Sequence, residues 1–236
     1  MSFQAPHRVP GIIPAVIAPE FPTDSSTLLL DGPAGALEVA VDRSDCPPRP
    51  ATAIVCHPLP TEGGTMHNKV VTMAARALRE VGLDTVRFNF RGTGASAGSF
   101  DDGVGETGDL LTVAAWVRAQ RPDHALWLAG FSFGAYVALR AAAELQPAFM
   151  LSIAPPVGRS WDFDTLVLPT CPWLVIQGDA DEIVDPQAVR SWVEAMTAPP
   201  PQLVRMPDTS HFFHRKLLDL RGAIKHGVRA YLPASA

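Results

Sequence analysis

Ala125-Leu126-Trp127-Leu128-Ala129-Gly130-Phe131-Ser132-Phe133-Gly134-Ala135-Tyr136-Val137-Ala138-Leu139-Arg140-Ala141-Ala142-Ala143-Glu144-Leu145 reads as a strand, a sharp turn and a helix in succession. The first five residues are a continuous apolar run of strand length, and the chain from Ala135 onward is rich in good helix formers. Between them Ser132 stands with Gly130 and Gly134 two residues to either side. A serine on so tight a turn sits in strained backbone, and side chains at the flanking glycines would collide with the neighbouring strand and helix. This is the local context of a nucleophile elbow, which lifts a serine hydroxyl clear of the sheet. A glycine-punctuated turn carrying a chance serine is the alternative, and the strand and helix on either side weigh against it.

A serine hydroxyl is a weak nucleophile until a histidine takes its proton, and a carboxylate holds that imidazole in the right tautomer and stabilises its charged form. After an elbow serine, the acid comes next along the chain and the histidine last. A buried-looking strand from Trp173 to Gly178 leads into a loop with Asp179, Asp181, Glu182 and Asp185. A later strand, Leu203-Val204-Arg205-Met206, leads into Pro207-Asp208-Thr209-Ser210-His211-Phe212-Phe213-His214. Asp185 precedes Pro186, and Val189, Trp192, Val193 and Met196 follow at helical spacing, so Asp185 reads as an N-cap with proline at the first helical position. Asp179 follows its strand almost directly, where it can brace the loop through its backbone. His214 falls where a final helix with Leu217, Leu218, Ile224 and Val228 should start, and reads as a solvated or capping histidine.

Four segments carry a resemblance that covers nearly the whole chain: His57-Pro58-Leu59-Pro60 and Phe90-Arg91-Gly92-Thr93-Gly94-Ala95-Ser96, each after a strand, the elbow itself, and Gly178-Asp179-Ala180-Asp181-Glu182-Ile183-Val184. Together they resemble compact bacterial α/β-hydrolases of the dienelactone-hydrolase-like, serine-esterase kind. In relatives with a Gly-x-x-Asp-x-x-Val loop the catalytic acid is the aspartate of that pattern, so the resemblance implies Asp181. It implies His211 as the base, by its place in a Ser-His-Phe stretch after the last strand. One oxyanion-hole donor is the N–H after the nucleophile, that of Phe133. The resemblance aligns His57-Pro58-Leu59 with the His-Gly-x turn of related hydrolases; Pro58 and Pro60 have no N–H, which leaves Leu59 as the second donor and His57 as a turn-shaping residue. The implied activity is that of a cofactor-independent serine hydrolase, a carboxylesterase acting on a small-molecule ester through an acyl-enzyme. Thioesters, lactones and peptides are cleaved by the same machinery. Dienelactone hydrolysis itself is associated with a cysteine at the elbow, where this chain has Ser132.

Strand-like runs near 53–56, 84–90, 125–129, 149–153, 173–177 and 203–206 alternate with helical patterns, which predicts a mostly parallel central sheet with helices on both faces; the resemblance implies that this α/β architecture is the α/β-hydrolase fold. Thr27–Leu30 and Leu37–Val41, around Gly32-Pro33, predict an antiparallel hairpin at the sheet edge. Asn68 to Val81 reads as a helix stopped at Gly82, and Leu110, Val113, Ala114 and Val117 mark the apolar face of another. Residues 1–236 form one domain on this reading, since the rigid Pro47-Pro48-Arg49-Pro50 connection is too short to divide it. Pro155 to Pro172 contains four prolines and room for at most a short helix around Trp161 to Leu166, so no cap domain is expected. The substrate pocket should be open, with modest walls from Leu59, Phe133, Val157, Trp161 and Phe212, and should favour short acyl chains.

Composition narrows the partners. With 236 residues and a net charge of −5, the chain has no broad basic footprint for nucleic acid or an anionic membrane surface. Cys46, Cys56 and Cys171 are too few and odd in number for a disulfide framework, which suits a reducing, cytoplasmic setting. The apolar run Gly11 to Ala18 is broken by Pro14, and no convincing leader cleavage site follows. Arg91 to Gly98 superficially resembles a phosphate-cradling glycine loop, but its third glycine comes at position seven and the loop continues through Gly103, so no dinucleotide cofactor is expected. His211, His214 and Asp208 lack the spacing of a metal site. A noncatalytic binding scaffold has to be weighed as well, since fold does not fix function; the Ser, Asp and His in order argue against it. Oligomeric state is left open.

Overall fold

The computed structural model describes residues 19–197 and 200–235. The apolar run at 11–18 lies outside the described residues. Eight strands form one sheet: β1 (Ser26–Gly32), β2 (Gly35–Asp42), β3 (Ala51–Cys56), β4 (Asp84–Phe88), β5 (Ala125–Phe131), β6 (Phe149–Ile153), β7 (Trp173–Gly178) and β8 (Gln202–Met206). Their order is β1-β2-β4-β3-β5-β6-β7-β8. The first two strands make the edge hairpin and β2 runs antiparallel to β4; from β4 onward every pairing is parallel.

The helices explain the apolar character of the central strands. Helices α2 (Val104–Gln120), α3 (Phe133–Leu145) and α4 (Pro186–Glu194) cover one face of the sheet, and α1 (Lys69–Arg79) and α5 (Leu217–Val228) the other. Buried on both sides, β3, β6 and β7 expose no residue, as expected of parallel strands between helical layers. In β5, Leu126 and Leu128 enter the core under α2, α3 and α4, while Trp127, Ala129 and Phe131 enter the core under α1 and α5. This period of two delivers the chain to Ser132 with a fixed orientation.

Local chemistry sets the element ends. The Asn68 side chain caps α1 through the Val70 N–H, and Gly82, at φ 99°, turns the chain out of that helix. The strand expected over 84–90 stops at Phe88, because the backbone beyond it finds side-chain partners: the Phe90 N–H donates to His57 Nε2 and the Arg91 N–H to the Asp109 carboxylate. Around Trp161 to Leu166 a turn forms instead of a helix, held by the Asp162 carboxylate accepting the Asp164 and Thr165 N–H groups. No helical insertion therefore stands between β6 and β7. No helix among the described residues is long and apolar enough to cross a membrane.

Candidate active site

Ser132 sits between β5 and α3 at φ 53°, ψ −121°, a backbone state that costs of order 1–3 kcal/mol and persists only where the surroundings impose it. The imposition is visible. The Ser132 N–H donates to the Ile153 carbonyl at 2.8 Å. A Cβ at Gly130 would lie 2.3 Å from the Gly134 carbonyl oxygen, and one at Gly134 would lie 2.4 Å from the Cys56 carbonyl oxygen. Both obstacles are backbone, so any larger residue would push α3 away from β3 and the elbow with it.

Parallel β7 and β8 end on the same side of the sheet as β5, and their loops bring two more residues to Ser132. His211 Nε2 lies 3.1 Å from Ser132 Oγ, and His211 Nδ1 lies 2.8 Å from Asp181 Oδ2. Asp181 Oδ1 accepts the N–H groups of Ile183 at 2.9 Å and Val184 at 2.8 Å, and Oδ2 also accepts Gln177 Nε2 at 2.9 Å. Burial opposes the charge on Asp181, but the hydrogen bonds from His211 and from the Val184 and Ile183 N–H groups outweigh it and hold the carboxyl below its ordinary range. The carboxylate is thus ionised and aimed at the imidazole.

The other candidates are engaged elsewhere. Asp179 pairs with Arg205 at 2.9 Å, and its N–H braces the loop on the Met206 carbonyl. Asp185 caps α4 by accepting the Gln187 N–H at 2.9 Å. His214 is exposed, its N–H directed to Ser210 Oγ, and α5 begins only at Leu217 because Phe213 and Arg215 take positive φ. Two residues of this constellation have no role in the sequence reading, which names Glu182 only among the loop acids and Gln177 only as part of its strand. Glu182 accepts the backbone N–H of His211 at 3.1 Å, and Gln177, a glutamine closing an otherwise apolar strand, reaches Asp181; that misplaced polarity was the available signal.

Phe133 is the first residue of α3, where a helix leaves its N–H unpartnered, and no hydrogen bond among the described residues uses the N–H of either Phe133 or Leu59. The Leu59 carbonyl is turned inward, accepting from Glu62 and Gly64. His57 locks the base of this turn. Its Nε2 accepts the Phe90 N–H at 3.0 Å, so the ring proton is on Nδ1 and donates to the Pro58 carbonyl at 2.7 Å. Burial lowers its pKa to about 4, and the ring stays neutral at ordinary pH. His57 therefore shapes the turn and has no nitrogen free for proton transfer.

Trp161 lies over Phe133 and Tyr136, with centroids 5.3 and 6.0 Å apart; Val157 is buried beside this cluster. Phe212 meets the His211 ring edge to face at 5.1 Å and is 39% exposed. A surface hollow of about 350 Å³ is lined by Phe163, Trp173 and Trp192, away from Ser132 and His211. Cys56 lies buried in β3, where burial pushes its thiol pKa up. No group of three or more His, Cys, Asp or Glu among the described residues is placed to hold a metal ion. The glycine-rich loop after β4 is filled by protein: the Glu38 carboxylate accepts the Ala95 N–H and Asn89 Nδ2, and Arg91 pairs with buried Asp109 at 2.8 Å.

A strained serine, an imidazole and an ionised carboxylate in hydrogen-bonded succession on this sheet define the site class of the α/β serine hydrolases. Residues 57–168 match the X-Pro dipeptidyl-peptidase (S15) family. A crystal structure from Xanthomonas campestris, described as an α/β serine hydrolase without lid, is 68% identical, with a TM-score of 0.89 over 92% of this chain and all of its own. An α/β serine hydrolase homologue from Coxiella burnetii is 44% identical, with a TM-score of 0.85 over 89% of this chain and all of its own. An uncharacterized protein of Rickettsia prowazekii is 35% identical over 175 residues, 72% of this chain and 73% of its own. The chain belongs to the α/β serine hydrolases.

Proposed function

We propose that the protein is a carboxylesterase that cleaves short-acyl esters of small molecules through an acyl-enzyme. The unbroken relay from Ser132 through His211 to Asp181 carries the proposal. His211 Nε2 takes the Ser132 proton as Oγ attacks the carbonyl carbon, and the resulting imidazolium is held by Asp181. The N–H groups of Phe133 and Leu59 receive the oxyanion. Collapse of the tetrahedral intermediate passes the proton from His211 to the departing alkoxide; a water molecule then repeats the sequence on the acyl-enzyme.

The absence of a helical insertion between β6 and β7 and the exposure of Phe212 beside His211 support a short-acyl preference at a site with modest walls, for which Val157, Trp161 and Phe212 are the proposed residues. A buried methylene is worth about 0.8 kcal/mol, or about fourfold in kcat/KM, and an open site provides no such burial for a long chain. Free thiols at Cys46, Cys56 and Cys171 fit a reducing, cytoplasmic setting. The match of residues 57–168 to an X-Pro dipeptidyl-peptidase family favours peptide hydrolysis as the second reading.

Labelling with a fluorophosphonate probe tests the nucleophile: wild type should be modified at Ser132, and Ser132→Ala should be neither labelled nor active. A panel of p-nitrophenyl esters, thioesters, lactones and Xaa-Pro anilides then separates the substrate classes. Esters of C2 to C6 acids should give the highest kcat/KM; a rise continuing to C12 refutes the open site, and Xaa-Pro anilides outpacing esters would replace the esterase reading by a peptidase.

A further inference from the structure

We propose that Gln177 is a positioning residue of the relay: its side-chain amide fixes which oxygen of Asp181 faces His211, and in what direction. The proposal rests on the functional reading above. Gln177 stands at the end of β7 and is 2% exposed. Its Nε2 donates to Asp181 Oδ2, the same oxygen that receives His211 Nδ1–H, while Oδ1 is held by Ile183 and Val184. Four donors thus fill the four acceptor directions of the carboxylate. Rotation about Cβ–Cγ would break several of these bonds at once.

The amide has one usable orientation. Reversed, its oxygen would meet Oδ2, acceptor against acceptor. In the orientation adopted, Nε2 also reaches the Gly178 carbonyl at 3.3 Å, and Oε1 is buried with no hydrogen-bond partner among the described residues. Trp173, Leu174, Val175 and Ile176 fill the rest of the strand with apolar side chains, so packing alone would be met by another such residue. A buried amide that leaves its carbonyl unsatisfied is accounted for by what its N–H does. By drawing charge from Oδ2, that N–H also tempers the pull of the carboxylate on the imidazole proton. The titratable and charged groups nearby are Asp181 and His211, with Glu182 on the His211 N–H and Arg205, the register partner of Gln177 on β8, paired to Asp179.

Gln177→Met keeps the length of the side chain and removes the donor. With p-nitrophenyl acetate its kcat should fall about 10- to 100-fold with KM within about twofold, and the acid limb of kcat/KM should move to higher pH, since the untempered carboxylate stabilises the imidazolium more. Gln177→Glu restores a donor for as long as the new carboxyl is protonated against Asp181. Its activity should approach wild type at the acid end and fall relative to wild type toward alkaline pH, as that carboxyl ionises. A folded Gln177→Met with wild-type kcat and an unmoved pH profile overturns the proposal; should that variant fail to fold, a Gln177→Glu that keeps wild-type activity up to about pH 10, above the range documented for buried carboxyls, overturns it equally. Ser132→Ala run alongside separates the failures. If it is inactive, only the positioning role has fallen; if it retains turnover, the relay itself is wrong and the positioning role falls with it.

Discussion

Asp181→Asn should leave the fold intact and remove nearly all turnover, for a reason that the hydrogen bonds make explicit. Placed where Oδ1 now lies, the new amide nitrogen would confront two backbone donors at 2.9 and 2.8 Å, so it must take the Oδ2 position. There it meets Gln177, whose side chain can reverse and offer its unsatisfied Oε1. It also meets His211 Nδ1, which must now accept, and the ring proton moves to Nε2, facing Ser132 Oγ. An imidazole in that tautomer cannot take the serine proton. Where the acid of a serine-protease triad is replaced by its amide, the same reversal lowers kcat by about 10⁴, or about 5.5 kcal/mol of transition-state stabilisation. The new amide, Gln177 and His211 stay hydrogen-bonded to one another, while the reversed Gln177 gives up its 3.3 Å contact to the Gly178 carbonyl, so the melting temperature should fall only slightly. The assay is initial-rate hydrolysis of p-nitrophenyl acetate beside a thermal melt, with Asp179→Asn as control; that substitution loses an exposed ion pair worth about 0–1 kcal/mol and should keep its turnover. Near-normal activity in Asp181→Asn together with inactivity in Asp179→Asn would refute the reasoning and shift the acid by two residues.

Stability should carry the signature of His57. Its folded pKa, about 4, lies below the unfolded value near 6.5, so between these limits the unfolded chain binds more protons; the stability is complete above pH 6.5 and declines by about 3 kcal/mol as the pH falls to 4. Urea melts of wild type and His57→Asn across that range should show this component only in wild type, and parallel curves would show that His57 is not held neutral. Asp185→Ala removes the α4 cap and should cost about 1 kcal/mol in a melt without altering turnover; a loss of activity larger than its loss of stability would place Asp185 in the chemistry. Gly134→Ala forces a Cβ to 2.4 Å from the Cys56 carbonyl and should lower both melting temperature and kcat, the latter about 100-fold if the elbow moves by an ångström; full activity would mean the contact relaxes at no expense to the site.

The elbow was legible because everything it requires is local: an apolar run, two glycines, a serine and a helix former within some twenty residues. Helix caps were legible for the same reason, and Asp185 with Pro186 announces the start of α4 before any tertiary contact is considered. The alternation of strands and helices foretold a parallel sheet, since buried strands must be apolar on both faces and connections between parallel neighbours must cross over. Strand ends were less legible: Phe90 reads as strand by composition, yet its N–H goes to His57, 33 residues away. The 161–166 stretch became a turn because the Asp162 side chain offered the backbone a closer partner than a helix would.

What only the tertiary structure decided are the contacts between loops that the sheet order brings together. Ser132 and His211 are 79 residues apart, and His211 and Asp181 are 30 apart; chain order names such candidates, but periodicity carries no information on whether their side chains meet. The tautomer of His57, the pairing of Asp179 with Arg205 and the reach of Gln177 to Asp181 depend in the same way on which strand ends lie side by side. Sequence determined the helix caps and the strand and helix runs, because these answer to neighbours along the chain. The hydrogen bonds of the site answer to neighbours across the sheet, and a one-dimensional pattern does not contain the distances at which donors and acceptors meet.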